Sequence, residues 1–175
     1  MPRPVLAQPL NVFWLSPKLD LIPRSTLGRY AAKTSMNGGK AFFDTNVLLY
    51  MYAGDPAKRK RALELYREHD PGRLLISTQV VQEFYAAGSR KLVIPRRELR
   101  EATTALLNWP LVVVSPTHIA AAMEIVERYR ISFWDGLILA AAESAGAGIL
   151  YTEDLNHGQQ YGPVLALNPF RPSSV

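Results

Sequence analysis

Short apolar runs recur along this chain, and a helix-length amphipathic stretch separates most of them from the next. Ala41-Phe42-Phe43, Leu74-Leu75-Ile76, Leu111-Val112-Val113-Val114, Gly148-Ile149-Leu150-Tyr151 and Val164-Leu165-Ala166-Leu167 read as strands, the last as an edge strand. Between them the sequence supplies helix signals. Asp55-Pro56 is an N-cap followed by proline at the first helical position. Thr78 is placed to cap a helix carrying Val80, Glu83, Phe84 and Ala87 on one face. Pro95 to Trp109 is amphipathic, and Pro116 opens a helix with Ile119, Met123 and Val126 spaced for burial. Strands alternating with helices imply an α/β domain built on a parallel sheet.

That architecture directs attention to the residues that leave the strands, because open α/β sheets place their sites at the strands' carboxyl ends. Asp44 interrupts an apolar run between Phe43 and Val47 and sits where β gives way to helix. It can equally serve as a helix cap. Glu83 lies in the middle of an apolar stripe, where an unpaired carboxylate is costly. Ser132 and Asp135 match an S-x-x-D capping box, yet Asp135 also precedes Ile138, Leu139 and Ala142 on the face expected to be buried. Glu153 and Asp154 follow the strand that ends at Tyr151, where an Asx turn is the alternative reading.

Four carboxylates brought together in a water-poor site cannot all stay ionised without a compensating cation. The chain has no cysteine, which excludes disulfides and thiolate metal sites and suits a reducing, cytoplasmic setting. Its histidines, His69, His118 and His157, have no ligand spacing. An ion here would therefore have oxygen ligands, which favours Mg²⁺ or Mn²⁺ over zinc. Such an ion suits phosphodiester hydrolysis by a metal-activated water. Loss of Asp44 or Asp135 is then expected to abolish cleavage with little loss of folding.

The net charge of +5 points less firmly to nucleic acid than its size suggests. Arg3, Lys18, Arg24, Arg29 and Lys33 oppose Asp20 alone before Met36, which leaves about +1 for the rest. Within that rest, Lys58-Arg59-Lys60-Arg61 and Arg90-Lys91 with Arg96, Arg97 and Arg100 are the candidate basic patches. Five prolines and no surviving period set the first 35 residues apart. Residues 1–38 are expected to be a mobile tail or an over-extended reading frame, 39–170 the functional domain and 171–175 a short tail. The longest apolar run, Leu137 to Leu150, contains Glu143 and is too short to span a bilayer, so no membrane association is expected.

Phe42-Phe43-Asp44-Thr45-Asn46-Val47-Leu48, the helix with Glu83, Phe133-Trp134-Asp135-Gly136 and Tyr151-Thr152-Glu153-Asp154-Leu155 together resemble the PIN-domain proteins, above all the VapC-type toxins of toxin–antitoxin pairs. The resemblance implies an α/β/α three-layer sandwich with a central, mainly parallel sheet. It also implies a Mg²⁺- or Mn²⁺-dependent endoribonuclease acting on RNA, a homodimer and a small antitoxin partner. By motif match Asp44, Glu83, Asp135 and Asp154 would form the acidic quartet, with Asn46 and Thr152 supporting it. Glu153 competes with Asp154 for the fourth place, and Thr-x-Asp favours Asp154. Two alternatives stand beside this reading: a non-catalytic RNA-binding or scaffold protein of the same fold, and a haloacid-dehalogenase-like phosphatase. The phosphatase chemistry wants an aspartate two residues after Asp44, where this chain has Asn46.

Overall fold

The computed structural model describes residues 39–52, 55–92 and 94–171. The expectation for residues 1–38 lies outside the described residues, as does that for the C-terminal tail beyond 171. The chain divides by its internal contacts into residues 1–36 and 37–175, and the described elements all belong to the second unit.

Strand β1 (Lys40–Phe43) lies inside the sheet and is paired in parallel on both edges, to β2 (Leu74–Ser77) and to β4 (Ala147–Tyr151). A strand with parallel neighbours and helices over both faces has no wet side, so it is apolar without alternation. Ala41, Phe42 and Phe43 are accordingly buried, as is every residue of β2. Two helices follow each of the first three strands: α1 (Thr45–Tyr52) and α2 (Pro56–Glu68), then α3 (Thr78–Lys91) and α4 (Arg96–Leu106), then α5 (Pro116–Tyr129) and α6 (Phe133–Ser144). The short β3 (Leu111–Val112) pairs in parallel with β2. The chain then turns through β5 (Gln160–Tyr161) into β6 (Val164–Leu167), and the strand order is β3-β2-β1-β4-β6-β5. Apart from the β5–β6 hairpin every pairing is parallel. Helices α1 to α4 pack on one another, while α5 and α6 pair closely and α6 lies against β2, β4 and β6, giving an α/β/α three-layer sandwich.

The order of strands fixes where a site can form. From β1 the chain winds outward through β2 to β3, then crosses back to place β4 on β1's other edge. The gap beyond the carboxyl ends of β1 and β4 is the topological switch point, where no helix closes directly over the strands. Asp44 leaves β1 there, and Thr152 leaves β4.

Local chemistry explains most boundaries. Asp55 Oδ1 accepts from the N–H groups of Ala57 and Lys58, so the expected cap of α2 forms. Ser77, not Thr78, caps α3: its hydroxyl accepts from Val80 N–H, and Thr78 Oγ1 instead accepts from Val114 N–H beyond β3. That bond belongs to a loop, since β3 stops at Val112 and does not continue to Val114. Val164–Leu167 is not an edge strand, because the unforeseen β5 covers it.

The burial expected of α5 also differs. Ile119 and Met123 are 43% and 52% exposed, and the contact with α6 runs instead through small residues. Ala122 is fully buried, and a Cβ added at Gly136 would lie 2.8 Å from Val126 Cγ2 and 3.0 Å from the Ala122 carbonyl oxygen. The two helices approach through Ala122 and Gly136, with Ile119 and Met123 left facing outward.

Candidate active site

Asp44 occupies the switch point as a buried carboxylate, only 3% exposed. Its Oδ1 accepts from the neighbouring Thr45 N–H at 2.6 Å, and its Oδ2 accepts from the Thr152 hydroxyl at 2.7 Å. An ordinary N-cap would reach one or two residues further into the helix. Burial pushes the Asp44 carboxyl up to about 7. The Thr152 hydrogen bond opposes that rise, and the charges of Asp154 and Glu83 add to it.

Around Asp44 the other acids are held in fixed orientations. Glu83 projects from α3, accepting from the Thr45 hydroxyl at 2.7 Å through Oε2 and from Gln79 Nε2 at 2.8 Å through Oε1. It is partly exposed, so the apolar stripe on α3 is turned enough to bring Glu83 to the edge of the core. Asp154 accepts from Asn46 Nδ2 at 2.9 Å, while its own N–H donates to Thr152 Oγ1 at 3.1 Å. Burial raises the Asp154 carboxyl above the usual carboxylate range, and the charges of Asp135 and Glu153 raise it further. Asp135 stands at the third position of α6, where its N–H donates to Ser132 Oγ at 3.1 Å. The Ser132 hydroxyl in turn donates to Asp135 Oδ2 at 2.7 Å. The capping serine therefore both starts the helix and orients the carboxylate, which is half-buried.

Glu153 is turned to a different set of partners. It accepts from Lys58 Nζ and from the Tyr50 hydroxyl, both at 2.6 Å, and Lys58 also lies 4.4 Å from the Tyr50 ring centroid. Although burial works against ionisation, the hydrogen bonds from Lys58 and Tyr50 hold the Glu153 carboxyl below its usual range. Of the two adjacent acids, Asp154 faces the cleft and Glu153 does not.

That cleft has a volume of about 230 Å³ and is lined by Asp44, Thr45, Asn46, Glu83 and Asp154, with Arg90 and Lys91 among the residues completing its wall. Thr152 lies buried beneath it, against Asp44. Asp135 is close enough for its charge to act on Asp154 but stands outside this lining. Gln79 was not anticipated. Its buried amide donates to Glu83 and, at 3.2 Å, to the Trp134 carbonyl, linking the helices that carry Glu83 and Asp135. A glutamine four residues before the glutamate is a same-face helix pair, which is the signal that would have found it.

The donors suit a hard cation: they are all oxygen, and among the described residues no cationic side chain pairs with Asp44, Glu83, Asp135 or Asp154. Among the described residues no three Asp, Glu or His side chains are placed to hold one ion together.

An open, mainly parallel α/β sheet with carboxylates gathered at its switch point defines the general class. The chain belongs to the PIN-domain family, whose model matches residues 41–161. Comparison with curated protein sequences gives no match. Solved structures of similar fold include a toxin–antitoxin complex from Klebsiella pneumoniae (TM-score 0.59, 19% identity, 74% of this chain and 98% of that one). VapC20 of Mycobacterium tuberculosis, described as a sarcin–ricin loop cleaving toxin, has a TM-score of 0.56 at 21% identity over 66% of this chain and 90% of its own. FitAcB from Neisseria gonorrhoeae has a TM-score of 0.55 at 15% identity over 75% and 99%.

Proposed function

We propose that this protein is a divalent-metal-dependent endoribonuclease and the toxin of a VapBC-type toxin–antitoxin pair. The observation that carries the reading is Asp44, a buried carboxylate at the β1/β4 switch point whose ionised form has carboxylate neighbours and no cationic partner among the described residues. Family membership and the fold shared with toxins support it, and they set aside the phosphatase alternative.

Asp44, Asp154 and, through water, Glu83 and Asp135 would hold Mg²⁺ or Mn²⁺. When bound, such an ion stabilises charge developing on a phosphodiester and makes water a better nucleophile at neutral pH. The chain's own residues prepare the site. Thr152 and Thr45 N–H fix both oxygens of Asp44, Asn46 aims Asp154, and the Thr45 hydroxyl and Gln79 fix Glu83. Among the described residues no helix is long and apolar enough to cross a membrane. The partner would be a small antitoxin, as in the related toxin–antitoxin complex.

Cleavage of total RNA by purified protein with Mg²⁺, Mn²⁺ or EDTA, beside Asp44→Asn, tests the proposal. Discrete metal-dependent fragments, absent from the variant, are expected. The separation of the acids favours one second reading, a binding protein without catalysis. No cleavage, together with no uptake of Mn²⁺ by calorimetry, would replace the nuclease with that reading.

A further inference from the structure

The fold treats the first basic run and the Arg90-Lys91 part of the second differently, while Arg97 of the second pairs with Glu101. Along α2, Lys58 is bound to Glu153, Lys60 lies 4.0 Å from Glu64, and Arg61 pairs with Glu64 and Glu68. Arg59 donates to the Met51 carbonyl. This run is satisfied internally. Arg90 and Lys91, in the last turn of α3, are both exposed, and among the described residues neither makes an ion pair or a side-chain hydrogen bond. Both line the same cleft as Asp44, Asn46, Glu83 and Asp154.

We infer that Arg90 and Lys91 are the phosphate-binding arm of the cleft, gripping the RNA backbone beside the carboxylates. The inference rests on the nuclease reading above and adds the residues that bring substrate to the site. A cleft of carboxylates repels a polyanion, so binding requires compensating cations nearby. Basic residues are favoured at helix C-termini by the helix dipole alone, but the dipole does not explain why these two flank the acids. Their base is firm. A Cβ added at Gly88 would lie 2.7 Å from Leu99 Cδ1, so the end of α3 is packed directly onto α4. Contacts of this kind read backbone charge and not sequence, so these residues set affinity and strand placement while base preference arises elsewhere.

The test is binding of a short labelled single-stranded RNA, by fluorescence anisotropy, to full-length protein carrying Asp44→Asn in Mg²⁺, across about 50 to 200 mM salt. Arg90→Gln and Lys91→Gln are compared with Lys60→Gln and Arg61→Gln, with circular dichroism as a check on folding. Removing either cation of α3 should flatten the slope of log K against log salt by about 0.7 and weaken binding about fivefold at 0.1 M salt. The α2 variants should leave the slope unchanged. RNA binding that survives both α3 substitutions, or that falls equally for the α2 pair, would overturn the inference and leave the nuclease reading in place. Absence of RNA binding by the parent protein at every salt concentration would overturn this inference, while the cleavage of total RNA by wild-type protein decides the nuclease reading separately.

Discussion

Removing the charge on Asp44 should stabilise the metal-free protein, and the gain should depend on pH. In the folded chain burial raises this carboxyl from 3.8 to about 7. Between those two values the folded state holds a proton that the unfolded state has released, so stability falls as pH rises through the interval. At about 1.4 kcal/mol per pH unit, the interval corresponds to a loss on the order of 4 kcal/mol above pH 7. Asp44→Asn keeps the shape and removes the ionisation. Its amide oxygen can still accept from Thr45 N–H, and its amide nitrogen can donate to Thr152 Oγ1 where the carboxylate had accepted.

In EDTA, thermal unfolding of the two proteins should nearly coincide at pH 4. At pH 8 the variant should lead by up to about 4 kcal/mol, a shift on the order of 10 °C in a domain of this size. Magnesium should narrow the gap from the wild-type side, because an ion bound only by the folded state adds stability that the variant cannot gain as strongly. A variant less stable than wild type at pH 8, or a difference that does not change with pH, would refute the assignment of Asp44 as an uncompensated buried acid.

Three further outcomes follow from the packing and the pairing. Glu153→Gln should retain RNA cleavage and lose less than about 1 kcal/mol in urea unfolding, since the Lys58 pair is partly exposed, whereas Asp154→Asn should lose cleavage. Gly136→Ala should cost about 1 to 2 kcal/mol, because the clash with Val126 and Ala122 outweighs the better helix propensity of alanine; urea unfolding would measure it. Phe84→Ala should cost about 3 to 5 kcal/mol in the same assay, since Phe84 is fully buried and packs on Tyr52.

Features decided by neighbours in sequence were legible in it. Asp55-Pro56 announces a helix start because cap and donors lie within three residues of each other. The strand leading to Asp44 could be read because a strand wet on neither face must be apolar throughout, and the one leading to Thr152 because it keeps an apolar run although Ile149 and Tyr151 are only half-buried. What depended on distant partners could not be read. Nothing local distinguishes Glu153 from Asp154; Lys58 and Tyr50, about 100 positions earlier, draw the first aside. Ile119 and Met123 have the right period for burial, yet Ala122 and Gly136 permit an approach so close that α5 buries its small face. Strand β5 is two residues long and exists only through its pairing with β6, which is why Val164–Leu167 reads as an edge from sequence.

The acids themselves come from four separate elements, so their mutual repulsion arises on folding and must be offset by whatever fixes those elements. Much of that falls to neutral groups. Asn46 links α1 to Asp154, the Thr45 hydroxyl links α1 to Glu83, and Thr152 links Asp44 to the end of β4. Gln79 extends the chain to the Trp134 carbonyl, one residue before Asp135, although its own Oε1 is buried with no partner among the described residues. Amides and hydroxyls orient carboxylates without neutralising them. Cations in those positions would have relieved the repulsion; instead the nearby cations, Arg90 and Lys91, stand at the wall of the cleft, where by our proposal a phosphate backbone would meet them.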